Sequence, residues 1–400
     1  MTAVPLVTVN AGSSSLKFCR YRIGSDGQPL VEARGAVEGI GSKPRMMVRD
    51  GEGRTLVQRD LDRADVGDPR DAVRHVATWL GSHFTERAAA VGHRFVHGGS
   101  EFASPVAIEA RTLERLRALI PLAPLHQPFN VAAVEAAMQY LPGVPQVACF
   151  DTAFHSGHAD VAKLIPLTWN LYESGVRRYG FHGLSYEYIA SVLPTIAPEI
   201  ARGRVIVAHL GSGASLCAMR DGRSIDSTLG FTALEGLCMG TRPGSVDPGA
   251  ILYLFQQLGL TAGEVESLLY KQSGLLGISG VSNDMRALLG NREPRARLAV
   301  DYFVYRAAKE IGALAAVLGG VDGLVFTAGI GERSPEIRRR ILEASAWLGV
   351  TLDDEANERG GPRLSRAGSA MSAWVVPTDE ELMIARHTAA VLGLLGRSAD

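Results

Sequence analysis

The residues near the N-terminus that are best suited to chemistry are Asn10 and Lys17, which flank a turn of glycine and serine at 12–15. Backbone N–H groups and hydroxyls in such a turn bind phosphate oxygens, and a lysine adds positive charge. Asn10 ends a predicted strand, where its amide could orient a water or a metal-bound phosphate. The pattern predicts a phosphate site, and the alternative is an ordinary solvated hairpin.

This turn is not a P-loop, because a P-loop continues into a helix and has a different spacing. Only four residues separate Gly12 from Lys17, and the segment 18–23 is aromatic and β-prone. The segment 24–27 that follows contains an Asp-Gly pair, which is a hairpin-turn signal. The predicted order is therefore strand, turn, strand, turn, strand.

Two further segments place a charged side chain where a ligand could reach it. Arg94 precedes a Gly-Gly turn, where an arginine can fork onto a carboxylate or a phosphate. A surface salt bridge would account for the same fragment. Asp151 ends the predicted strand 147–150, at a point where clefts open, so it is a candidate base or ligand of a metal-bound water. Its alternative role is a helix N-cap.

His182 and Arg242 lie in glycine-rich segments that allow the backbone to approach a ligand closely. His182 belongs to the run Arg-Tyr-Gly-Phe-His-Gly at 178–183 and could donate to a developing phosphoryl charge. A structural role is the alternative for a single histidine. Arg242 belongs to 235–248, where glycines and prolines predict a rigid loop. Such a loop limits the entropy lost when the arginine holds its target.

A third glycine-rich segment, 328–332, follows a predicted strand at 324–327. Ser334 and Pro335 then predict the N-cap and first residue of a helix around 337–348. Backbone N–H groups and a helix N-terminus at a strand end suit a nucleotide, although many α/β turns look alike.

Acidic side chains near the C-terminus form a candidate metal site. Glu380 and Glu381 follow a Pro-Thr turn, and adjacent carboxylates can bind magnesium through waters. The alternative is the first turn of a helix, where carboxylates are favoured by the helix dipole.

The order of elements at the N-terminus recurs about 200 residues later. Residues 205–210, 214–219 and 224–226 are predicted strands, joined by turns at 211–213 and 221–222. Helices are predicted at about 111–120, 128–140, 186–193, 249–258, 299–318 and 380–395. Strands mixed with helices in two repeats predict two related α/β domains with mixed sheets, facing each other across a cleft.

The totals argue against several classes of protein. The chain has 400 residues, 46% of them hydrophobic, and a formal net charge of −1. We expect two domains and neither a nucleic-acid nor a membrane surface. No apolar stretch reaches the length of a membrane span, and the N-terminus lacks the features of a secretory signal. The four cysteines are scattered, so we expect a cytoplasmic enzyme without disulfides or structural zinc.

In combination these motifs resemble the acetate kinase family, within the group of acetate, propionate and butyrate kinases. The resemblance extends from Asn10 to His387. It rests on the motifs NAGSSSLK, HGG, PLAPLH, CFDTAFH, RYGFHG, HLGSGAS, LEGLCMGTRPG, GISGVSNDMR, FTAGIGE and TDEELMIAR, in that order. It implies duplicated actin/Hsp70/hexokinase-like (ribonuclease H-like) α/β domains, with mixed sheets flanked by helices and a central cleft. The expected domains are 1–152, joined by a C-terminal helix at about 382–400, and 153–381.

The resemblance also implies roles for single residues. Asn10 and Glu380 match the residues of a magnesium or manganese site, and Arg94 matches the arginine that binds the carboxylate substrate. Asp151 matches the proton donor or acceptor, and His182 and Arg242 match the residues that stabilise the transferring phosphoryl group. The expected ATP-site residues are Lys17, His209, Leu210, Gly211, Ser212, Gly213, Asp284, Met285, Arg286, Gly329, Ile330, Gly331, Glu332 and Arg333. A homodimer is also implied.

Two positions depart from the family pattern. Ser212 stands where the family usually has an asparagine, and Arg333 also replaces an asparagine. Serine is shorter, so one contact to phosphate is lost or bridged by water. The departures bear on nucleotide affinity and on the choice of phosphoryl donor, and they leave the reaction type unchanged.

The expected reaction is reversible transfer of the γ-phosphoryl group of ATP to acetate, giving acetyl phosphate and ADP. A carboxylate is already ionised at pH 7, so no strong general base is needed and Asp151 is expected to orient its partners. Direct in-line transfer is expected, with closure of the cleft on the nucleotide. A phosphoenzyme is the alternative mechanism.

Other functions remain open at this point. Propionate and butyrate are alternative substrates, since a methylene changes binding by only about 1–3 kcal/mol. A non-catalytic ATP-binding switch on the same fold is an alternative of another class, supported by Ser212. A sugar kinase fits less well, because it would need a base for a hydroxyl. GTP or pyrophosphate could replace ATP as donor.

Overall fold

The computed structural model describes residues 4–24 and 27–394 of the chain. They form two compact units, one made of the residues up to Phe154 and from Asp379 onwards, the other of His155–Thr378. These limits lie two and three residues from the boundaries expected at 152 and 381. Residues 395–400 of the predicted C-terminal helix, and 25–26 of the first predicted Asp-Gly turn, lie outside the described residues.

The first unit is built around a mixed eight-stranded sheet with the order β5-β4-β3-β2-β1-β6-β8-β7. Strands β1 to β5 form an antiparallel meander, and β6 and β8 run parallel to β1. The strands are β1 Val4–Ala11, β2 Ser15–Ile23, β3 Pro29–Glu38, β4 Arg45–Asp50, β5 Thr55–Asp60, β6 Ala90–Phe95, β7 Val106–Ala107 and β8 Gln146–Phe150.

The second unit contains a mixed five-stranded sheet with the order β11-β10-β9-β12-β13. The strands are β9 Arg204–Leu210, β10 Ala214–Arg220, β11 Arg223–Ser227, β12 Gly323–Thr327 and β13 Ser372–Val375. The first three are antiparallel neighbours, whereas β12 and β13 run parallel to β9. Asp221 and Gly222 both have positive φ angles, 52° and 71°, in the turn between β10 and β11. The Asp-Gly hairpin expected there is present.

The two sheets repeat one topology. The strands β3-β2-β1-β6-β8 and β11-β10-β9-β12-β13 correspond one to one, and each pair of neighbours has the same relative direction. The repeat predicted from the sequence is therefore present as two mixed sheets, and the predicted α/β fold class is confirmed.

Fifteen helices are described. They are α1 Pro69–His83, α2 Ala110–Ala118, α3 Gln127–Tyr140, α4 Asp160–Lys163, α5 Trp169–Glu173, α6 Gly183–Ile196, α7 Pro248–Gln256, α8 Ala262–Ser267, α9 Gly274–Ser279, α10 Met285–Leu289, α11 Pro294–Leu318, α12 Ala328–Arg333, α13 Pro335–Ala344, α14 Asp354–Arg359 and α15 Glu380–Val391. Short 3-10 turns lie at Ile120–Leu122, Ala153–His155 and Ala346–Leu348, and a π-helical turn at Leu268–Gln272. No helix within the described ranges is long and apolar enough to cross a membrane.

The apolar core of the first unit fixes the register of its strands. Apolar side chains of β1 and β2, such as Val9 and Phe18, pack with Trp79 of α1 on one side of the sheet. The residues Leu6, Tyr21 and Ala389 form a second cluster that includes α15. This burial fixes the register, because a shift of one residue would exchange the two faces of each strand.

Helix α15 approaches the sheet closely because β6 has a glycine beneath it. A side chain at Gly92 would meet Thr388 Oγ1 at 2.1 Å and Ile384 Cγ2 at 2.7 Å. The contact holds the N-terminal residues of α15, which include Glu380, close to the ends of the parallel strands.

Candidate active site

Three candidate residues of the first unit meet at one edge of its sheet. Asn10 lies near the end of β1, Arg94 near the end of β6, and Asp151 directly after β8. These three strands are parallel neighbours, so their carboxyl ends lie at the same edge. The backbone N–H of Asp151 donates to Phe95 O at 3.0 Å, which fixes its position beside Arg94.

Arg94 is held on two sides. Its Nε donates to Asp151 Oδ1 at 3.0 Å and to Oδ2 at 3.1 Å, and its Nη2 donates to Oδ2 at 2.5 Å. Its Nη1 donates to Asn10 Oδ1 at 3.1 Å. Asp151 is 1% exposed and Arg94 19% exposed. A guanidinium carries five N–H donors, so two of them are left for a ligand.

The charges around Arg94 keep it positively charged. Burial acts to lower the pKa of Arg94, but the neighbouring charges of Asp151 and Glu380 outweigh it and raise the pKa. The Asp151 carboxylate is committed to this guanidinium. The geometry of Asp151 suits a residue that orients Arg94, and the position of Asp151 is explained without a proton transfer.

Carboxylates gather near the start of α15. Burial first, and then the charge of Glu380, raise the pKa of Glu381, whereas the charge of Lys17 lowers it. Lys17 lies opposite Asn10 in the β1–β2 ladder. Asp379, the N-cap of α15, accepts from Leu382 N at 2.9 Å and from Arg34 Nη2 at 2.7 Å. Glu380 and Glu381 form the first turn of the helix.

The donor chemistry at this edge fits a hard divalent cation. Asn10 offers an amide oxygen and Glu380 a carboxylate, and Mg²⁺ is held in proteins by one or two such oxygens together with waters. Among the described residues no group of three or more His, Cys, Asp or Glu side chains forms a metal cluster. A magnesium ion bound with few protein ligands is compatible with that arrangement. Burial is the main cause of the raised pKa of Glu381, and the charges of Glu380 and Asp379 add to it, so these carboxylates lie close to one another.

In the second unit, Arg242 lies in a loop locked by backbone contacts. Arg242 O accepts from Met239 N at 3.0 Å, and Arg242 Nη1 donates to Ala233 O at 2.6 Å. A side chain at Gly274, whose φ is +62°, would meet Met239 O at 2.2 Å and Arg242 O at 2.6 Å. The rigid loop expected from the glycines and prolines is therefore present.

Arg242 and His182 lie side by side, because Gly213 leaves room for both. A Cβ at Gly213 would come within 2.6 Å of Arg242 Nη2 and 3.3 Å of His182 Nε2. Gly213 belongs to the turn between β9 and β10, where Gly211 N donates to Gly213 O at 3.0 Å. The turn thus brings two candidate catalytic residues to one point.

His182 adopts a backbone conformation that is unusual for a residue with a side chain. Its φ is 58°, in the left-handed region, and it is the N-cap residue of α6. Such a conformation costs of order 1–3 kcal/mol and persists only where the surroundings hold it. The ring stacks on that of His209 with centroids 4.2 Å apart, and Nδ1 lies 2.7 Å from Ser215 Oγ.

A cavity of about 580 Å³ lies next to this turn in the second unit. Eight of the predicted ATP-site residues line it: Gly211, Ser212, Asp284, Met285, Arg286, Gly329, Ile330 and Arg333. Within it, Arg286 Nη2 donates to Asp284 Oδ2 at 2.6 Å. The hydrogen bond from Arg286 to the carboxylate lowers the pKa of Asp284 to about 2.

The other predicted ATP-site residues lie elsewhere. Leu210 is fully buried, and His209 packs on His182. Gly213 lies beside Arg242, and Gly331 is a buried residue of α12. Lys17 belongs to the first unit.

The segment that follows β12 differs from expectation. The sequence predicts a glycine turn, but residues Ala328–Arg333 form the helix α12. The helix begins at Ala328, which has a φ of 64°. Glu332 explains the difference, because its Oε1 accepts from Ala328 N at 2.9 Å and from Thr378 N at 3.1 Å. The carboxylate therefore satisfies an N–H group at the start of its own helix.

The helix predicted around 337–348 is divided. Ser334 Oγ accepts from Ile337 N at 3.4 Å, so the predicted N-cap is present at the start of α13. The helix ends at Ala344, and the 3-10 turn Ala346–Leu348 follows it.

Arg338 of α13 is a buried side chain that stabilises this region by hydrogen bonds. It is 1% exposed and donates to Gly331 O at 3.0 Å, Glu332 O at 2.9 Å, Asn357 Oδ1 at 2.9 Å and Asn357 O at 2.5 Å. Burial lowers the pKa of Arg338, in part offset by the charge of Glu358. The carbonyls at the end of α12 are thereby tied to α14.

Sequence reasoning did not identify several residues of the site. The cavity is also lined by Asn283, Leu289, Ser334, Pro335 and Glu336. Asn283 directly precedes the Asp-Met-Arg motif, and the sequence predicts Ser334 and Pro335 only as the start of a helix. The signal available in the sequence was their position next to predicted site residues. Ser215 and Tyr186 contact each other near His182. Ser215 ends the motif HLGSGAS but was given no role, and Tyr186 lies outside the motifs.

Comparison with known proteins adds an independent line of evidence. Residues 5–386 match the sequence profile of the acetokinase family. Acetate kinase of Nitrobacter hamburgensis is 51% identical over 395 residues, which are 99% of this chain and 97% of that protein. Acetate kinase of Rhodopseudomonas palustris is 52% identical over 389 residues, 96% of this chain and 97% of that protein.

Solved structures agree with this match. Porphyromonas gingivalis acetate kinase is 38% identical, with a TM-score of 0.85 and coverage of 97% of this chain and 100% of that one. A propionate kinase from Francisella tularensis is 36% identical, with a TM-score of 0.88 and the same coverage.

Proposed function

The chain belongs to the acetokinase family, and on that premise we propose that it transfers the γ-phosphoryl group of ATP reversibly to acetate, giving acetyl phosphate and ADP. The observation that carries the proposal is the state of Arg94. A buried carboxylate and an amide hold its guanidinium in place, and two of its N–H donors remain for a substrate carboxylate.

Acetate enters this reaction as an anion, so the protein has no substrate proton to remove. Its pKa resembles that of Glu, which is about 4.3, and it is therefore ionised at pH 7. Asp151 keeps Arg94 oriented and charged, so that the acetate oxygen is presented for attack. The catalytic gain comes from alignment and from charge stabilisation.

ATP binds in the cavity of the second unit. Arg242 and His182 stabilise the charge that develops on the phosphoryl oxygens. The absence of a side chain at Gly213 leaves room for both groups side by side. The locked loop means that Arg242 loses little entropy on binding.

Asn10 and Glu380 hold Mg²⁺, with Mn²⁺ as a substitute. When bound, the ion neutralises phosphate charge. Because ATP is the phosphoryl donor, the proposed location is the cytoplasm.

We propose direct in-line transfer between the two substrates. One displacement inverts the configuration at phosphorus, whereas a phosphoenzyme would require two displacements and retain it. A substrate with a chiral thiophosphoryl group distinguishes them, and retention would contradict direct transfer.

Propionate is the second candidate acceptor, since a structure named as a propionate kinase superposes with a TM-score of 0.88. One methylene changes binding by only about 1–3 kcal/mol, so the family match does not separate the two acids. Both are compared in the assay below, together with butyrate.

The chain is proposed to act as a homodimer. Helix α7 has the sequence PGAILYLFQ and has no buried residue. Leu252, Tyr253 and Leu258 are 54%, 55% and 57% exposed, and Leu298 and Tyr305 of α11 are 57% and 61% exposed. An apolar helix of this kind is suited to an interface with a second copy. Leu252→Asp should give a monomer in light scattering, whereas a monomeric wild type would contradict the proposal.

Acyl phosphate formation, trapped as the hydroxamate, tests the function. Wild type and Arg94→Ala are assayed with ATP, Mg²⁺ and each acid, and Arg45→Ala, an exposed arginine of β4, is the matched control. Product with acetate that is lost in Arg94→Ala and kept in Arg45→Ala would support the proposal. No product with any acid from a protein that binds ATP would contradict it and favour a non-catalytic switch.

A further inference from the structure

A hydroxyl of β10 connects the candidate catalytic histidine to a buried tyrosine. Ser215 Oγ lies 2.7 Å from His182 Nδ1 and 2.5 Å from Tyr186 Oη. Ser215 and Tyr186 are both 0% exposed. Tyr186 lies one turn after His182 on α6, so helix geometry brings the two side chains to the same serine.

Counting hydrogens fixes the direction of these two bonds. Ser215 has a single hydroxyl hydrogen and two lone pairs. If it accepted from both partners, its own buried hydrogen would have no acceptor, because within the described residues its hydroxyl bonds to His182 and Tyr186. It therefore donates to one partner and accepts from the other. If His182 Nδ1–H donated to Ser215, the serine would donate to Tyr186, and the phenol hydrogen would need a different acceptor. Within the described part of the chain, Ser215 Oγ is the one hydrogen-bond partner of Tyr186 Oη. That arrangement would bury an unsatisfied donor, which is costly.

The reverse arrangement satisfies every hydrogen. Tyr186 Oη–H donates to Ser215 Oγ, and Ser215 Oγ–H donates to His182 Nδ1. Burial raises the pKa of Tyr186 well above its ordinary value, so the phenol keeps the hydrogen that it donates. Nδ1 then carries no hydrogen, and the ring hydrogen of a neutral His182 lies on Nε2.

We propose that Tyr186 and Ser215 are positioning residues that hold His182 as the neutral Nε2–H tautomer. The proposal rests on the proposed function, in which His182 donates to the transferring phosphoryl group, and it specifies which atom donates. Nε2 is the ring atom beside Gly213 and Arg242 Nη2.

The surroundings of His182 are consistent with a neutral ring. The Arg242 guanidinium lies next to Nε2, so an imidazolium would face a like charge. The ring stacks on that of His209, whose own Nδ1 lies 2.8 Å from Ser185 Oγ. Arg242 thus supplies the positive charge and His182 supplies an oriented hydrogen-bond donor.

The tautomer is measured by NMR of the full chain labelled with ¹⁵N-histidine, without substrates, at pH 7.5. His182→Asn identifies the resonances of that ring. In wild type we expect a pyrrole-type Nε2 and a pyridine-type Nδ1. Ser215→Ala should shift both nitrogens toward averaged values, and Tyr186→Phe should do so partially. A wild-type Nδ1–H tautomer, an imidazolium, or unchanged shifts in Ser215→Ala would overturn the proposal.

Two variants act as matched controls. Ser224→Ala removes another buried serine hydroxyl that contacts histidines, at 2.7 Å from His155 Nδ1 and 2.6 Å from His158 Nε2. Tyr179→Phe removes a tyrosine hydroxyl that donates to Gly175 O at 2.7 Å. Both should leave the His182 resonances in place. If either control moves these resonances as far as Ser215→Ala does, the change in chemical shift is not specific to the contacts of Ser215 with His182 and Tyr186. The proposal is then rejected.

Kinetics supply a second readout. Because the hydroxyl acts through His182 and touches no substrate, Ser215→Ala should lower kcat by about tenfold with KM values within about twofold. Ser215→Thr, which retains the hydroxyl, should restore the tautomer and most of kcat. A raised KM with unchanged kcat would contradict the proposal. Wild type with the expected tautomer and no acyl phosphate formation would contradict the proposed function alone.

Discussion

Both carboxylate oxygens of Asp151 contact the guanidinium of Arg94, at nitrogen–oxygen distances between 2.5 and 3.1 Å. The two residues end neighbouring parallel strands, so the sheet itself brings them together. A buried carboxylate that is occupied in this way fixes a partner's orientation. Asp151 is therefore best understood as the residue that orients Arg94, the arginine proposed to bind acetate.

Asp151→Asn tests this interpretation. The amide NH₂ would face guanidinium donors, so Arg94 should lose its orientation, and misplacement of a substrate-positioning group costs about 10²-fold in rate. We expect kcat/KM for acetate to fall by about that factor and the KM for ATP to change little. Asp50→Asn, which alters an exposed pair with Arg54, is the control. Full activity of Asp151→Asn would show that Arg94 is held without it.

Gly213→Ala should separate the two candidate catalytic residues of the second unit, Arg242 and His182. The added methyl group would lie 2.6 Å from Arg242 Nη2, so the arginine must move away from His182. Loss of one electrostatic contact to a transition state costs about 10²–10³ in kcat. Steady-state kinetics measure this loss. Gly263→Ala is the matched control, because a Cβ there meets nothing within 4 Å. Equal activity of the two variants would disprove the crowding argument.

Ser212→Asn should strengthen nucleotide binding. Ser212 lines the cavity, and the longer amide side chain can add a hydrogen bond worth about 0.5–1.5 kcal/mol. The Kd for ADP should therefore fall by roughly twofold to tenfold in calorimetry, with the KM for acetate unchanged. Arg333→Asn in parallel tests the other departure from the family. Weaker ADP binding by Ser212→Asn would show that serine is adapted to this cavity.

Glu380→Gln should weaken the response to magnesium. A ligand that binds only the folded chain stabilises it by mass action, so Mg²⁺ should raise the wild-type unfolding midpoint. The variant should require a higher Mg²⁺ concentration for the same rise, because one carboxylate ligand is lost. Glu114→Gln on α2 is the control. An identical Mg²⁺ titration of Glu380→Gln and wild type would remove Glu380 from the proposed site.

Buried histidines should make the fold sensitive to acid. Burial lowers the pKa of His93 to about 4, of His155 to about 4 and of His158 to about 3, where the charge of His155 adds to the effect. The unfolded chain binds these protons near pH 6.5 and the folded chain does not, so stability falls as pH decreases from about 6.5 toward 4. Each group contributes up to about 1.4 kcal/mol per pH unit.

The measurement is the free energy of unfolding between pH 6.5 and 5. His155→Asn should reduce the slope of stability against pH by about one proton, whatever it does to stability at pH 7. An unchanged slope would show that His155 is protonated in the folded state.

Local features of the fold could be predicted from the sequence. The turns at 12–15 and 221–222 depend on glycine and on Asp-Gly pairs, whose backbone preferences do not need distant contacts. The rigidity of the Arg242 loop follows similarly from its glycines and prolines. The helix α13 began at its predicted cap, because Ser334 and Pro335 act within one turn.

Features set by distant contacts could not be predicted. The partners Arg94 and Asp151 are 57 residues apart, and their meeting depends on the order of strands. Arg338 lies in a run of three arginines that would suggest a solvated face, yet it is buried because carbonyls of α12 and α14 surround it. Helix α12 contains two glycines, which favour a turn, and the carboxylate of Glu332 reverses that preference.

The matching order of strands in the two sheets suggests that the two units arose by duplication of one ancestral unit. A single ancestral unit that was copied would have given two hairpins with equal capacities. Today the first hairpin carries Asn10 and Lys17 on facing strands, and the second carries His209 opposite Ser215. Each copy has become specialised while its topology stayed constant. A symmetric framework of strands thus carries two different sets of side chains, which are the proposed sites for two chemically different substrates.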